Sequence, residues 1–136
     1  MGNPFSGKGL TISGMVHLWP REALAEARVG ALLVDIRESY DTDYKKFDVP
    51  EVLYVPFRQM GRRWGEIPRD RAVIVADSIG QRGKEIVQLL MANGYENIAN
   101  LNGGMMDWER DGMPMIVDKS AELHGQCVCR LRRRGK

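Results

Sequence analysis

Cysteine is scarce in this chain of 136 residues: there are two, Cys127 and Cys129. Two cysteines spaced Cys-x-Cys cannot form the disulfide framework that holds together many small secreted domains. The fold must therefore be stabilised by a hydrophobic core, and a chain of this length can bury one.

Long apolar runs are also missing. No segment approaches the roughly 20 apolar residues that are needed to cross a bilayer, so we expect no membrane span. The first residues, MGNPFSGKGLTIS, lack the apolar centre of a secretory signal. The resulting expectation is a cytoplasmic protein.

Neither sign of charge dominates, and the net charge is only +2. Five positive charges lie in the final residues RLRRRGK, so the rest of the chain carries −3. No aromatic platform accompanies these arginines, so we do not expect a nucleic-acid partner. We expect one domain over residues 15–117, with an N-terminal extension at 1–14 and a basic tail with Cys-x-Cys at 118–136.

Short continuous apolar runs, which are typical of buried strands, alternate along the chain with segments whose apolar residues recur at helical spacing. This alternation is typical of an α/β fold with a parallel sheet. Pro114 is expected to end the ordered pattern. The predicted strands are 31–36, 52–57, 71–76 and 97–101. The predicted helices are 19–30, 37–47, 83–94 and 105–112, and Trp108 in the last of them is expected to face the core. The segment 58–70 is expected to be a loop with one helical turn.

The stretch VIVADSIGQRG at 73–83 is a buried strand followed at once by a small polar loop and a helix. Ligands of α/β folds bind at such strand ends, where the unpaired N–H groups at the start of the helix favour negative charge. The first position of this loop is nevertheless a carboxylate, Asp77. The candidate site is this loop, an anion cradle formed by Asp77, Ser78, Ile79, Gly80, Gln81 and Arg82.

Three segments of the chain resemble the rhodanese family: LLVDIRE at 32–38, VIVADSIGQRGKEIVQLL at 73–90 and GYENIANLNGGMMDWERDGMPM at 94–115. The resemblance covers roughly residues 15–115. It implies a rhodanese-like α/β fold, a parallel sheet with helices on both faces. It also implies a six-residue loop that cradles a cysteine carrying persulfide sulfur.

The chain departs from the family pattern at several positions. Gly80 and Arg82 match the glycine and arginine of the family loop, but the nucleophilic cysteine falls on Asp77. Gly83 stands where a small hydroxyl residue is usual. Asp48 and Glu51 replace a histidine and a small residue in the segment that precedes the second predicted strand.

Asp77 at the cysteine position changes the expected chemistry. Sulfur transfer needs a thiolate of low pKa, and a carboxylate cannot carry persulfide sulfur. A phosphoryl acceptor would need Mg²⁺ and neighbouring carboxylates, which the sequence does not supply. We therefore expect Asp77 to be an N-cap residue, held ionised by the loop N–H groups, the helix N-terminus and Arg82. Whether the chain is an enzyme stays open.

The tail offers the alternative. Cys127 and Cys129 stand among arginines, which lower the pKa of a thiol, so either could carry sulfur or the pair could act as a redox dithiol. With His124 they provide three zinc ligands, one fewer than a closed structural site needs. Incidental cysteines in a loose tail are the simplest interpretation. We thus expect no cofactor and no metal, and as partner an unknown protein or a small sulfur-containing anion.

Overall fold

The computed structural model describes residues 3–120, which form one central sheet, a small second sheet and five helices. The strands are β1 Leu10–Ile12, β2 Met15–Leu18, β3 Leu32–Asp35, β4 Lys45–Phe47, β5 Val52–Tyr54, β6 Val73–Ala76, β7 Ile98–Leu101 and β8 Met115–Val117. The helices are α1 Pro20–Arg28, α2 Ser39–Tyr44, α3 Met60–Arg63, α4 Gln81–Ala92 and α5 Gly104–Arg110, with short 3₁₀ turns at Phe57–Gln59 and Trp64–Glu66.

The central sheet has the strand order β1-β2-β7-β6-β3-β5. Its edge strand β1 runs antiparallel to β2, and every other neighbouring pair is parallel. Parallel strands place their carboxyl ends at one edge, so the segments that follow β3 and β6, which are direct neighbours, emerge side by side.

Helices cover both faces of this sheet. Alternate residues of each strand therefore point into two different hydrophobic cores, one on each face. Leu33 and Ile74 pack with Trp108 of α5 and with the apolar side of α1. Val34 and Val75 belong to the other core, which contains residues of α3 and α4. The expected α/β fold with helices on both faces is therefore confirmed.

Two expectations about the ordered elements are wrong. The segment 37–47 is not helical throughout, because its last residues form β4, which pairs with β8. The order also continues beyond Pro114, since β8 follows it directly. The pairing of β4 with β8 is stabilised by Phe47, which is buried and packs edge-on against Trp108, with ring centroids 5.2 Å apart. Trp108 itself is fully buried, as predicted.

The strands β1 and β2 were not predicted. In β2 the run MVHL is buried at all four positions, but His17 interrupts the apolar pattern. Helix α1 begins at Pro20, and its Glu22 carboxylate accepts the N–H groups of Trp19 and Gly9 at 2.9 and 3.0 Å. Between residues 3 and 120, no helix has the length and apolar character to span a bilayer.

Candidate functional site

A cavity of about 290 Å³ opens at the carboxyl ends of β3 and β6. One wall follows β3 and leads into α2, and the other is the loop between β6 and α4. The lining residues are Ile36, Arg37, Glu38, Tyr40, Asp41, Asp77, Ser78, Ile79, Gln81 and Arg82. Five of the six residues predicted for the cradle therefore line one cavity, and Gly80 lies in the same loop.

Asp77 lies at the floor of the cavity and is only 4% exposed. Its Oδ1 accepts the N–H of Gly80 at 2.5 Å, and its Oδ2 accepts those of Arg82 and Gly83 at 2.8 and 3.2 Å. These N–H groups are the ones that a bound anion would use at this loop. The side chain of Asp77 thus takes the place of a ligand.

The N-cap of α4 is Gly80, so the expectation that Asp77 is itself the N-cap residue is wrong. The helix begins at Gln81, and Gly80 adopts a left-handed backbone with φ of +91°. This turn folds the loop back far enough for a side chain three residues before the cap to reach the amides of the first helical turn.

The start of α5 holds the outer side of the loop. The carbonyl groups of Asp77 and Ser78 accept the N–H groups of Met105 and Met106 at 2.8 and 3.0 Å. Gly104 allows this approach, since its φ is +58° and a Cβ there would lie 2.5 Å from the carbonyl oxygen of Asp77. Gly104, which lies in the segment 94–115 that resembles the rhodanese family, therefore acts as part of the site.

Asn100 of β7 fills the space behind the loop, and the sequence did not point to it. A Cβ on Gly83 would lie 2.1 Å from Oδ1 of Asn100, which explains why no hydroxyl side chain stands at position 83. The Asn100 amide nitrogen lies 3.2 Å from Nδ1 of buried His17 and 3.5 Å from the carbonyl oxygen of Gly80. Its Oδ1 has no hydrogen-bond partner within residues 3–120.

Arg82 contributes its backbone rather than its charge to Asp77. Its guanidinium carbon lies over the ring of Phe57, 4.6 Å from the centroid. The proposed ion pair with Asp77 is therefore not formed. The carboxylate of Asp77 is therefore stabilised by the N–H groups of the loop and of the N-terminus of α4.

The second wall was not predicted as a site, although three of its residues, Ile36, Arg37 and Glu38, lie in the quoted segment 32–38. The buried Arg37 donates through Nε and Nη2 to Asp35, with a shortest distance of 2.7 Å, and through Nη2 to the carbonyl oxygen of Lys45. Glu38 accepts a bond of 3.2 Å from Arg58. The pairing of β3 with β6 could have identified this wall, because adjacent parallel strands bring their following loops together.

Cys127, Cys129 and His124 lie outside the described residues, so the structure does not bear on the predictions made for them. Between residues 3 and 120, no group of three or more histidine, cysteine, aspartate or glutamate side chains is arranged to hold a metal ion.

Comparison with known proteins finds relatives in sequence. A sequence model described as "Rhodanese-like domain" matches residues 19–111. A protein named "Sulfurtransferase" from Allochromatium vinosum is 35% identical over 86 residues, which are 63% of this chain and 78% of that protein. "Thiosulfate sulfurtransferase GlpE" of Actinobacillus pleuropneumoniae serotype 7 is 28% identical over the same shares of the two chains.

Solved structures show the same fold. A rhodanese-related protein from Thermoplasma volcanium aligns with a TM-score of 0.66 at 20% identity, covering 75% of this chain and 98% of its own. A rhodanese-like domain protein from Staphylococcus aureus aligns with a TM-score of 0.65 at 20% identity, covering 76% of this chain and 99% of its own.

Proposed function

Because the chain belongs to the rhodanese-like domain family, we propose that it is a member without ordinary thiosulfate sulfurtransferase activity, acting as a binding or regulatory module. The observation that carries the proposal is the carboxylate of Asp77, which accepts one N–H group of the loop and two of the first turn of α4 at the position where the family pattern has its cysteine.

Two properties of this carboxylate support the proposal. Sulfur transfer requires a nucleophile that takes up sulfane sulfur and holds it as a persulfide, and a carboxylate offers no such carrier. The N–H groups of Gly80, Arg82 and Gly83 are also occupied, so thiosulfate would have to bind beside a negative charge without these three donors. The site is thus expected to disfavour both the chemistry and the binding of the anion.

The proposal extends to the ligand of the module. The candidates are a protein partner and a small sulfur-containing anion, and the occupied amides favour the protein. A connection to sulfur metabolism is supported by the names of the relatives, and a cytoplasmic location stays a prediction from the sequence.

The test is thiosulfate:cyanide sulfurtransferase turnover by the purified full chain and by its Cys127→Ser/Cys129→Ser double variant. We expect neither protein to exceed the background rate. The double variant is the control for the tail cysteines, since activity lost with them would assign the transfer to Cys127 or Cys129. Robust activity that survives removal of both cysteines would show that the loop itself transfers sulfur and would refute the proposal.

A further inference from the structure

We propose that the surface beside Asp77 binds a segment of a partner protein in which a glutamate lies two positions from an apolar residue. This inference rests on the non-catalytic binding role proposed above. The glutamate carboxylate binds Arg58 and Arg82, and the apolar side chain enters the cavity whose floor is Asp77.

A second cavity, which we call the rim cavity, lies next to the one beside Asp77. It has a volume of about 300 Å³ and is lined by Glu38, Tyr40, Arg58 and Arg82. Glu38, Tyr40 and Arg82 also line the first cavity, so the two cavities are adjacent. Two guanidinium groups and one carboxylate leave the rim cavity with one positive charge, which attracts an anion.

The guanidinium of Arg82 is held in place, although it has no ion pair between residues 3 and 120. Its carbon lies 4.6 Å from the centroid of the Phe57 ring, so the ring covers one flat face of the group. Stacking of this kind leaves the N–H groups in the plane of the guanidinium, which is where a carboxylate binds. Because the side chain is already positioned, less conformational entropy is lost when an anion binds.

Arg58 is the second cation of the rim cavity, and its side chain is 80% exposed. Its Nη2 donates to Glu38 at 3.2 Å, which uses only one arm of the guanidinium fork. An ion pair this exposed is weak, so Arg58 can turn toward a second carboxylate at little cost. Arg58 and Arg82 can therefore bind one carboxylate between them.

The charge of the rim cavity favours a carboxylate over a phosphate. Asp41 and Asp77 line the first cavity, and neither of them lines the rim cavity. A phosphate group carries a charge of about −1.5 to −2 at neutral pH, which exceeds the single positive charge there. A carboxylate balances that charge, so an acidic side chain is the better match.

The first cavity suits an apolar side chain. The carboxylate of Asp77 is bound by N–H groups, and Arg37 is paired with Asp35 at 2.7 Å. Tyr40 and Ile79 line the same cavity and are 49% and 51% exposed. Covering these two side chains with an apolar group removes apolar surface from water, which stabilises the complex.

One short extended segment can supply both groups. Tyr40 lines both cavities, so the carboxylate and the apolar side chain bind on two sides of one residue. In an extended chain, side chains two positions apart point to the same side. A glutamate and an apolar residue at this spacing therefore reach the two cavities together.

The test is an NMR titration of the full chain with the peptide acetyl-ALAEALA-amide, which has an apolar residue two positions to each side of the glutamate. The controls are acetyl-ALAQALA-amide, which lacks the charge, and acetyl-AAAEAAA-amide, which lacks the larger apolar side chains. We expect the first peptide to shift the Nε–H signals of Arg58 and Arg82 together with the Ile79 methyl and Tyr40 ring signals. Each control should bind at least about threefold more weakly.

Variants of the protein identify the residues that bind the peptide. Arg58→Gln and Arg82→Gln should each weaken binding of acetyl-ALAEALA-amide about threefold. Ile79→Ala should weaken it without a change of charge. Arg62→Gln removes an exposed arginine that lines neither cavity, and it should have no effect. Urea midpoints establish that each variant is folded.

Three results would overturn the inference. The first is that the uncharged peptide binds as tightly as the acidic one, and the second is that binding is unchanged in both arginine variants. The third is that thiosulfate or inorganic phosphate, at the concentration of the peptide, moves the Arg58 and Arg82 signals as strongly. The site would then select a small anion and not a protein segment.

Failure of this inference can be told apart from failure of the proposed function. Absence of peptide binding in a protein that also lacks thiosulfate turnover refutes the site for an acidic segment alone. Thiosulfate turnover by the cysteine-free chain refutes the non-catalytic role itself.

Discussion

At the scale of single residues, Asp77 and Gly83 are two related departures from the family pattern. Asp77 uses the N–H of Gly83 as one of its three donors, while the Cα of Gly83 leaves space for the side chain of Asn100. Asn100 cannot easily turn away, because it is fully buried and contacts His17. Position 83 is thus fixed as glycine by its neighbour, although it lies inside a helix.

This packing predicts that Gly83→Ala changes the free energy of unfolding in opposite directions with and without the side chain of Asn100. Gly83→Ala in the natural chain should lower the free energy of unfolding by about 1–3 kcal/mol, because the new methyl group overlaps Asn100. In an Asn100→Ala background the same change should raise it by about 0.5–1 kcal/mol, because alanine is the better helix former once the space is open. Urea unfolding of the four proteins measures the coupling. Additive effects of the two substitutions would contradict this description of the site.

At the scale of secondary-structure elements, the parts of the fold that could be predicted are those with a strong local pattern. The strands β3 and β6 and the helix α4 followed from continuous apolar runs and from helical spacing, and with them the loop that carries Asp77. The pairing of β4 with β8 could not be predicted in the same way. It depends on the contact between Phe47 and Trp108, which are far apart in the sequence.

The same limit applies to the back of the site. His17 and Asn100 meet because β2 pairs with β7 in register, which joins positions 83 residues apart. Neither residue carries a local signal of this contact. The direction of the Arg82 side chain was missed for a related reason, since the position of Phe57 beside it is set by the fold.

The contact between β2 and β7 predicts a pH dependence of stability. Burial lowers the pKa of His17, and the nearby Lys84 ammonium lowers it further. Below pH of about 6.5 the unfolded chain therefore binds a proton that the folded chain does not. The free energy of unfolding should fall as the pH decreases from about 6.5 through the pKa of folded His17.

Urea unfolding at pH 7.5 and pH 5.5 measures this effect. His17→Gln should make the difference between the two pH values smaller. An unchanged difference in His17→Gln would mean that other groups cause the pH dependence.

At the scale of the whole molecule, the sheet brings two segments to one edge. The loop after β6 leads into a helix N-terminus that favours an anion, and the segment after β3 contributes Arg37, Glu38 and Asp41 to the same cavity. The side chain of Asp77 accepts the N–H groups that such an anion would use. On this account the anion cradle is intact and occupied, rather than lost.

The most direct test of the occupied cradle is the thiol pKa of Asp77→Cys, prepared with Cys127→Ser and Cys129→Ser so that one thiol titrates. The new thiol would lie at the N-terminus of α4, facing the loop N–H groups that Asp77 now binds. Such surroundings stabilise a thiolate, so the pH dependence of its alkylation rate should give a pKa at least about one unit below the ordinary value of about 8.5. A thiol that titrates near 8.5 would show that the loop is not organised to hold an anion, and the central claim would be wrong.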